Sequence, residues 1–530
     1  MLKLSKGDER LAEKETPKGE KTMKKIIALL MAGAMTVGLT ACGGSGASSS
    51  AASGSTASAE TSTGEYPVVK MAYSRMFSTD SEAKVEEAMN EILRETAQAE
   101  IDLVPIDFSS MTQQLNLLLS GGGDSIDIFS SFWYLPMNTL YANGQLADMT
   151  ELLEEHPEVL ELFADYPEVL ECCKIDGKFY ALPTVAAYSS PMVYLCKKTD
   201  SDSANIDWSQ VNTLDDATQA MLAMKEVNPD HYYIPGATET YYIPKDIDYL
   251  GDTYFFGVLT DPLNSTKVEN YYESDYFMNF LDNVKIWQEN DLITPDPMSN
   301  TNPTLMSLQF GLCSGTPGYA FDADEFCYEA NISQQYGDDL VGTNLGERLI
   351  TTGNVNTYLW HITSFCQDKE AAMRVLAAFY TDSRLDNLLG NGIEGENYVV
   401  TENGTLAYPE GKDNTNCGWT GMTASYNLPN SSGCPVWNYQ PENYWDLLLD
   451  SNAEAKSSLA LGFNFDATPV ADQITACTNV YSQYYLPLIN GEVDIDEVLP
   501  VFQQALHDAG IDDIIAEKQA QLDAWLAAKA

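Results

Sequence analysis

The sequence predicts an α/β fold with parallel-type sheets flanked by helices and a helical C-terminus. Strand, helix, strand, helix and strand patterns follow one another between residues 68 and 129, the order that builds a parallel sheet. The stretch from residue 65 to 530 is too long for one small core, so two domains are expected. A content of 44% hydrophobic and 11% aromatic residues belongs to a globular chain rather than a disordered one.

The elements follow in order. Val68 to Tyr73 reads as a first strand, and Ser81 to Gln98 as an amphipathic helix with Val85, Ala88, Met89, Ile92 and Leu93 on one face. Ile101 to Ile106 is a second strand. Ser110 caps a helix through Leu119, which the Gly121-Gly122-Gly123 run stops. Ile126 to Phe129 is a short buried strand, and Leu135 to Phe163 reads as helix interrupted by prolines. Asp176 to Pro183 is a turn into a strand, and Met192 to Lys197 another strand. Thr213, with Asp216 in the capping-box position, opens a helix over 214–227. Further helices are expected over 275–290 and, capped by Asp368, over 369–380. The last is 499–530, broken at Gly510 and docked by Trp525.

Met23-Lys24-Lys25 followed by the apolar run 26–38 has the shape of a secretory signal. That run is well short of the roughly 20 residues a membrane-spanning helix needs. It ends in Leu39-Thr40-Ala41-Cys42, a lone cysteine after small residues. The pattern resembles a bacterial lipobox, which implies lipidation at Cys42 and attachment by acyl chains. Residues 43–64 then form a Gly/Ser/Ala tether. Residues 1–22 are charged and carry no apolar run, so translation is expected to start at Met23. The extracytoplasmic part is thereby placed on the outer face of the cell membrane, as in a Gram-positive bacterium.

Charge excludes one class of partner. The chain holds 28 basic and 78 acidic side chains. Residues 1–42 carry 8 basic and 5 acidic ones, which leaves the rest near −53. Nucleic acid is not expected as a partner, because phosphate binding wants the opposite sign. Besides Cys42 there are nine cysteines with neither a CxxC nor a zinc spacing, so neither metal nor cofactor is expected. Cys417 and Cys434 bracket a loop that a disulfide would close.

Several stretches together resemble the family-1 extracellular solute-binding proteins, the receptor lipoproteins of ABC sugar importers. They are NGQLADMT at 143–150, DGKFYALPT at 176–184, Thr213-Leu214-Asp215-Asp216, the helix from Asp368, and NGIEGENY at 391–398. The tail, from GFNFD at 462–466 through NGEV at 490–493 to QAQLDAW at 519–525, looks like a subgroup with a distinctive C-terminal region. The resemblance implies a two-lobe, periplasmic-binding-protein-like clamp that shuts on ligand and presents the closed form to ABC permease subunits. Residues 65–186 with 319–382 are expected as one lobe, and 187–318 with 383–530 as the other. The protein is expected to be a monomer.

Sugars offer apolar C–H faces and a rim of hydroxyls, so a cleft for them wants aromatic plates beside hydrogen-bonding side chains. Tyr73 and Arg75 follow the first strand, and Trp133 follows the strand at 126–130, where open α/β sheets place ligand loops. Tyr188 lies near a crossover, and Asp322 where a strand ends. Trp419, Trp437 and Tyr439 belong to an aromatic, loop-like stretch from 419 to 445. Enzyme signatures are missing from the sequence outside the tether: no GxSxG, HExxH, P-loop or dinucleotide glycine pattern. The function expected is a carbohydrate receptor, for an oligosaccharide, rather than an enzyme. A receptor for peptide or another polar solute, or a glycan-active or adhesion surface protein, are the alternatives.

Overall fold

The computed structural model describes residues 66–75, 79–122, 125–132, 135–189, 191–236, 244, 246–300, 307–308, 311–319, 339–419 and 427–529. The signal, Cys42 and the tether lie outside these residues. So do Trp133 and Asp322.

The N-terminal pattern produces β1 (Val68–Arg75), α1 (Glu82–Thr96), β2 (Glu100–Asp107), α2 (Met111–Leu118) and β3 (Ile128–Phe132). β1 runs parallel to β2, with Val68 opposite Glu100 and Arg75 opposite Asp107, and parallel to β3 through Met71 and Ile128. The next strand of the chain in this sheet, β4 (Leu182–Pro183), is only two residues long. β5 (Met192–Lys197) then opens a second sheet, and α3 (Leu214–Val227) and α4 (Asp275–Glu289) follow. The capping box at Thr213 is fully formed. β6 (Gly315–Tyr319) and β7 (Leu340–Leu345) flank β5, both antiparallel to it. The chain returns to the first sheet as β8 (Tyr358–Ile362), antiparallel to both β3 and β4. The first sheet therefore has the order β2-β1-β3-β8-β4 and the second β6-β5-β7.

Parallel pairing thus holds for β1 to β3, while the second sheet is antiparallel among the described residues. Within the first sheet, strand direction follows from chain reach. β3 is reached through α2, as a parallel crossover requires, whereas β8 arrives from the opposite end of the sheet.

The first sheet is covered on both faces. Val69, Met71 and Tyr73 of β1 pack with α1 and with α5 (Lys369–Thr381), while Ala72 faces α2 with Ile106, Met111 and Leu115. This two-sided burial explains why the strands read as near-continuous apolar runs. α6 (Ser383–Asn391) adds Leu385 and Leu389 to the same core, joined by Trp419 and Leu428. A separate core surrounds β5. Met192, Tyr194 and Cys196 meet Met221 of α3 and Phe277, Phe280 and Trp287 of α4. After α7 (Tyr444–Glu454), the C-terminal helices α8 (Ala471–Ile489), α9 (Ile495–Ala509) and α10 (Ile511–Lys529) all pack on this second core. Gly510, at φ +100°, supplies the left-handed cap between α9 and α10.

Three segments carry the chain between the cores. The first, after β4, is held by Asn452 of α7, whose Oδ1 accepts from the Tyr188 N–H at 2.7 Å and whose Nδ2 donates to the Ala186 carbonyl at 2.9 Å. The second and third lie side by side, Leu349 pairing with Lys456 and Ile350 with Ser457. Cys417 and Cys434 are both buried free thiols, like every described cysteine, so the anticipated loop disulfide is not formed. Reduced, they behave as small apolar side chains.

Candidate ligand-binding rim

The C-terminal ends of β1, β2 and β3 come together in one rim, because parallel strands put their carboxyl ends on the same edge. Ser74 and Arg75 end β1, Ile106 and Asp107 end β2, and Ser130 to Phe132 end β3. Beneath this edge lies a gap of about 10 Å³, room for a single water, lined by the buried Ala72, Tyr73, Ser74, Ile106, Met111, Leu115, Ser130 and Phe132. The Ser130 hydroxyl donates to Asn427 Oδ1 at 3.1 Å, which brings the start of the 427–434 segment to the same edge.

The predicted residues fall into distinct places. Tyr73 is 1% exposed. Its ring stacks on Trp419, with centroids 5.5 Å apart, and its hydroxyl donates to Glu82. Burial, and then the Glu82 carboxylate, push the Tyr73 phenol well above its ordinary pKa. Trp419 is 2% exposed and donates its indole N–H to the Leu389 carbonyl at 3.0 Å. The two rings thus form a buried prop behind the rim. Arg75 stays partly open: its Nε donates to Asp107 Oδ1 at 2.7 Å and its Nη1 to Thr79 Oγ1 at 3.4 Å. The pairing holds the Asp107 carboxyl below the usual range. Tyr188, 3% exposed, donates to the Thr184 carbonyl at 2.7 Å and belongs to the first crossing segment.

Trp437 and Tyr439 form a second aromatic group. Their rings lie 6.0 Å apart and nearly parallel, at 12°, and Tyr408 closes on Trp437 at 4.4 Å. The Trp437 indole N–H donates to Asn391 Oδ1 at 3.1 Å. Both rings are half-buried, so one face of the group meets solvent. Trp133 follows Phe132, the last described residue of β3, and Asp322 follows β6; both lie outside the described residues.

The sequence reading missed Ser130, Asn427 and Asp107. No local signal marks a serine in a strand as rim-facing. Asp107, however, is readable as the first carboxylate after the second strand.

His361 meets a serine. Its Nδ1 donates to the Tyr180 carbonyl and its Nε2 accepts from the Ser131 hydroxyl, each at 2.8 Å. Burial lowers its pKa to about 4, which keeps the ring neutral. The third partner is a carbonyl rather than a carboxylate, and the pair is sealed inside the sheet, so it organises structure and has no access to a substrate. Among the described residues no group of His, Cys, Asp and Glu could hold a metal ion, and no helix is long and apolar enough to cross a membrane.

Two αβ-type cores joined by three crossing segments, with a rim at the ends of parallel strands, define the solute-binding-protein fold. The comparisons agree. The solved structure of the N-glycan transport solute binding protein (NgtS) from Streptococcus pneumoniae superposes with a TM-score of 0.75 at 22% identity, covering 88% of this chain and 100% of that one. The same protein in complex with Man5GlcNAc gives 0.65 at 24% identity, over 88% and 99% of the two chains. In sequence, the chain is 27% identical over 515 residues to a carbohydrate ABC transporter substrate-binding protein of S. pneumoniae serotype 4 (strain ATCC BAA-334 / TIGR4), spanning 93% of this chain and 96% of the relative. Residues 459–527 match a domain of unknown function, DUF3502. This match covers the region singled out from the tail motifs.

Proposed function

We propose that the protein is an extracytoplasmic receptor of an ABC importer that captures an oligosaccharide and hands it to permease subunits. One observation carries the reading: nearly the full length of the chain aligns with nearly the full length of a carbohydrate ABC transporter substrate-binding protein. Arg75 and Asp107, partly open at the same strand ends, support it as a donor and an acceptor for hydroxyls. In this reading Tyr73 and Trp419 hold the rim in shape, and Arg75, Trp133, Asp322 and the Trp437–Tyr439 group meet the sugar. Tyr188 belongs to the hinge. The first lobe gathers residues around the five-stranded sheet and the second those around β5 with the C-terminal helices. Ligand bridges the two and favours the shut form. The receptor acts as a monomer without metal, cofactor or nucleic acid, held outside the membrane through lipid at Cys42.

A thermal-shift screen of the protein from residue 65 onward, against mannose–N-acetylglucosamine oligosaccharides and peptides, tests this. The expected result is stabilisation by oligosaccharide only. Loss of that shift in Trp133→Ala and in Trp437→Ala supports the site. An unchanged shift in both removes it, and stabilisation by peptides alone removes the sugar.

A further inference from the structure

We infer that the captured glycan is uncharged, and that Asp107 is the residue that withholds the rim's cation from acidic sugars. The inference rests on the carbohydrate reading above and adds the charge class of the ligand.

A carboxylated, sulfated or phosphorylated sugar entering a cleft must exchange water for a counter-charge, since an unpaired anion is costly to bury. Arg75 is the sole basic residue among the described positions at the ends of β1, β2 and β3. It is already committed, its Nε lying 2.7 Å from Asp107 Oδ1. The register explains this pairing: Arg75 and Asp107 stand opposite each other on adjacent parallel strands, so their side chains meet across the sheet. Lys84, in the first turn of α1, is spoken for in the same way by Glu396 at 2.7 Å.

Residues 76–78 and 133–134, which follow β1 and β3 directly in sequence, contain no lysine or arginine. An acidic ligand would therefore have to displace Asp107 from Arg75 within a protein whose net charge is −50, against a long-range field of its own sign. A neutral sugar meets neither obstacle. The Arg75–Asp107 pair then serves it as a fixed donor and acceptor.

The test is calorimetric titration of the purified chain with a matched pair. One ligand is a neutral mannose–N-acetylglucosamine oligosaccharide, and the other is the same oligosaccharide carrying a terminal sialic acid or uronic acid. At low salt the neutral ligand is expected to bind at least about tenfold more tightly, with the gap narrowing as salt screens the field. Asp107→Asn, which frees Arg75, is expected to shrink the gap by about threefold or more through improved binding of the acidic ligand, and Asp107→Glu to restore it. Equal or tighter binding of the acidic ligand by the parent chain overturns the inference while leaving the carbohydrate reading intact. So does a gap that Asp107→Asn leaves unchanged in a variant of normal circular dichroism. Failure of both ligands, and of neutral glycans generally, to bind overturns the carbohydrate reading and this inference with it.

Discussion

Replacing Lys518 by methionine tests what holds the C-terminal module together. Lys518 is fully buried in α10, where its ammonium donates to Asp252 Oδ2 at 2.9 Å and to the Gly257 carbonyl at 3.0 Å. The ring centroid of Phe465 lies 5.3 Å away. Asp252 in turn accepts from the backbone N–H groups of Tyr254 and Phe256, so this one cation ties the last helix to the 252–257 turn. Burial lowers the Lys518 pKa, with the Asp252 carboxylate opposing that shift. Methionine keeps the stem and the packing but leaves Asp252 without a counter-charge and the Gly257 carbonyl without a donor. Removing one partner of a buried pair costs about 3–5 kcal/mol, most of it desolvation left uncompensated. Lys518→Met with Asp252→Asn restores neutrality and should recover much of that loss, because a neutral buried pair carries no such penalty. Urea unfolding of the single and double variants, followed by circular dichroism, measures both numbers. A single variant that loses less than about 1 kcal/mol, or a double variant as unstable as the sum of the singles, refutes the reasoning.

Three further outcomes follow from the geometry. His361 releases its proton near 4 when folded and near 6.5 when unfolded, so the unfolded chain binds a proton that the folded chain refuses between those values. Stability should be full above about 6.5 and fall by about 3 kcal/mol as pH drops toward 4, and His361→Gln should flatten that slope in pH-resolved denaturation. His507 behaves oppositely. Glu273 at 2.7 Å and Asp512 at 2.8 Å raise its pKa above 6.5, so its contribution is present below 6.5 and disappears as pH climbs through the folded value; His507→Gln should remove this alkaline loss. Gly510→Ala should lower stability by about 1–2 kcal/mol, because φ there is +100° and the new Cβ meets Gln473 Cγ at 2.8 Å; an unchanged melting temperature contradicts the cap assignment.

Local chemistry was legible where it acts locally. The reciprocal cap at Thr213 and Asp216, the Asp368 side chain accepting from the Ala371 N–H, and the break at Gly510 all stand where short-range signals put them. The parallel strands β1 to β3 were readable because alternating strand and helix periods survive in a single stretch of chain. What escaped depends on distant partners. β8 is a five-residue apolar run without periodicity, and only its pairing with β3 and β4 makes it a strand. α8 carries Pro487 inside it, a residue that argues against helix in sequence, and α7 hides within a segment rich in loop-formers. The site divides the same way. Arg75 was found at a strand end by rule, whereas the burial of Trp419 is decided by Tyr73, far upstream in the chain. An aromatic residue in a glycine-bearing loop reads alike whether it faces a sugar or a core.

Capture without conversion is the property that separates a receptor from a glycan-active enzyme. Calorimetric titration of the chain with a neutral mannose–N-acetylglucosamine oligosaccharide, followed by chromatography of the recovered sugar, measures this directly. Saturable binding of one sugar per chain, with the sugar recovered intact, is the predicted result. No heat with any glycan, or recovery of shortened products, contradicts it.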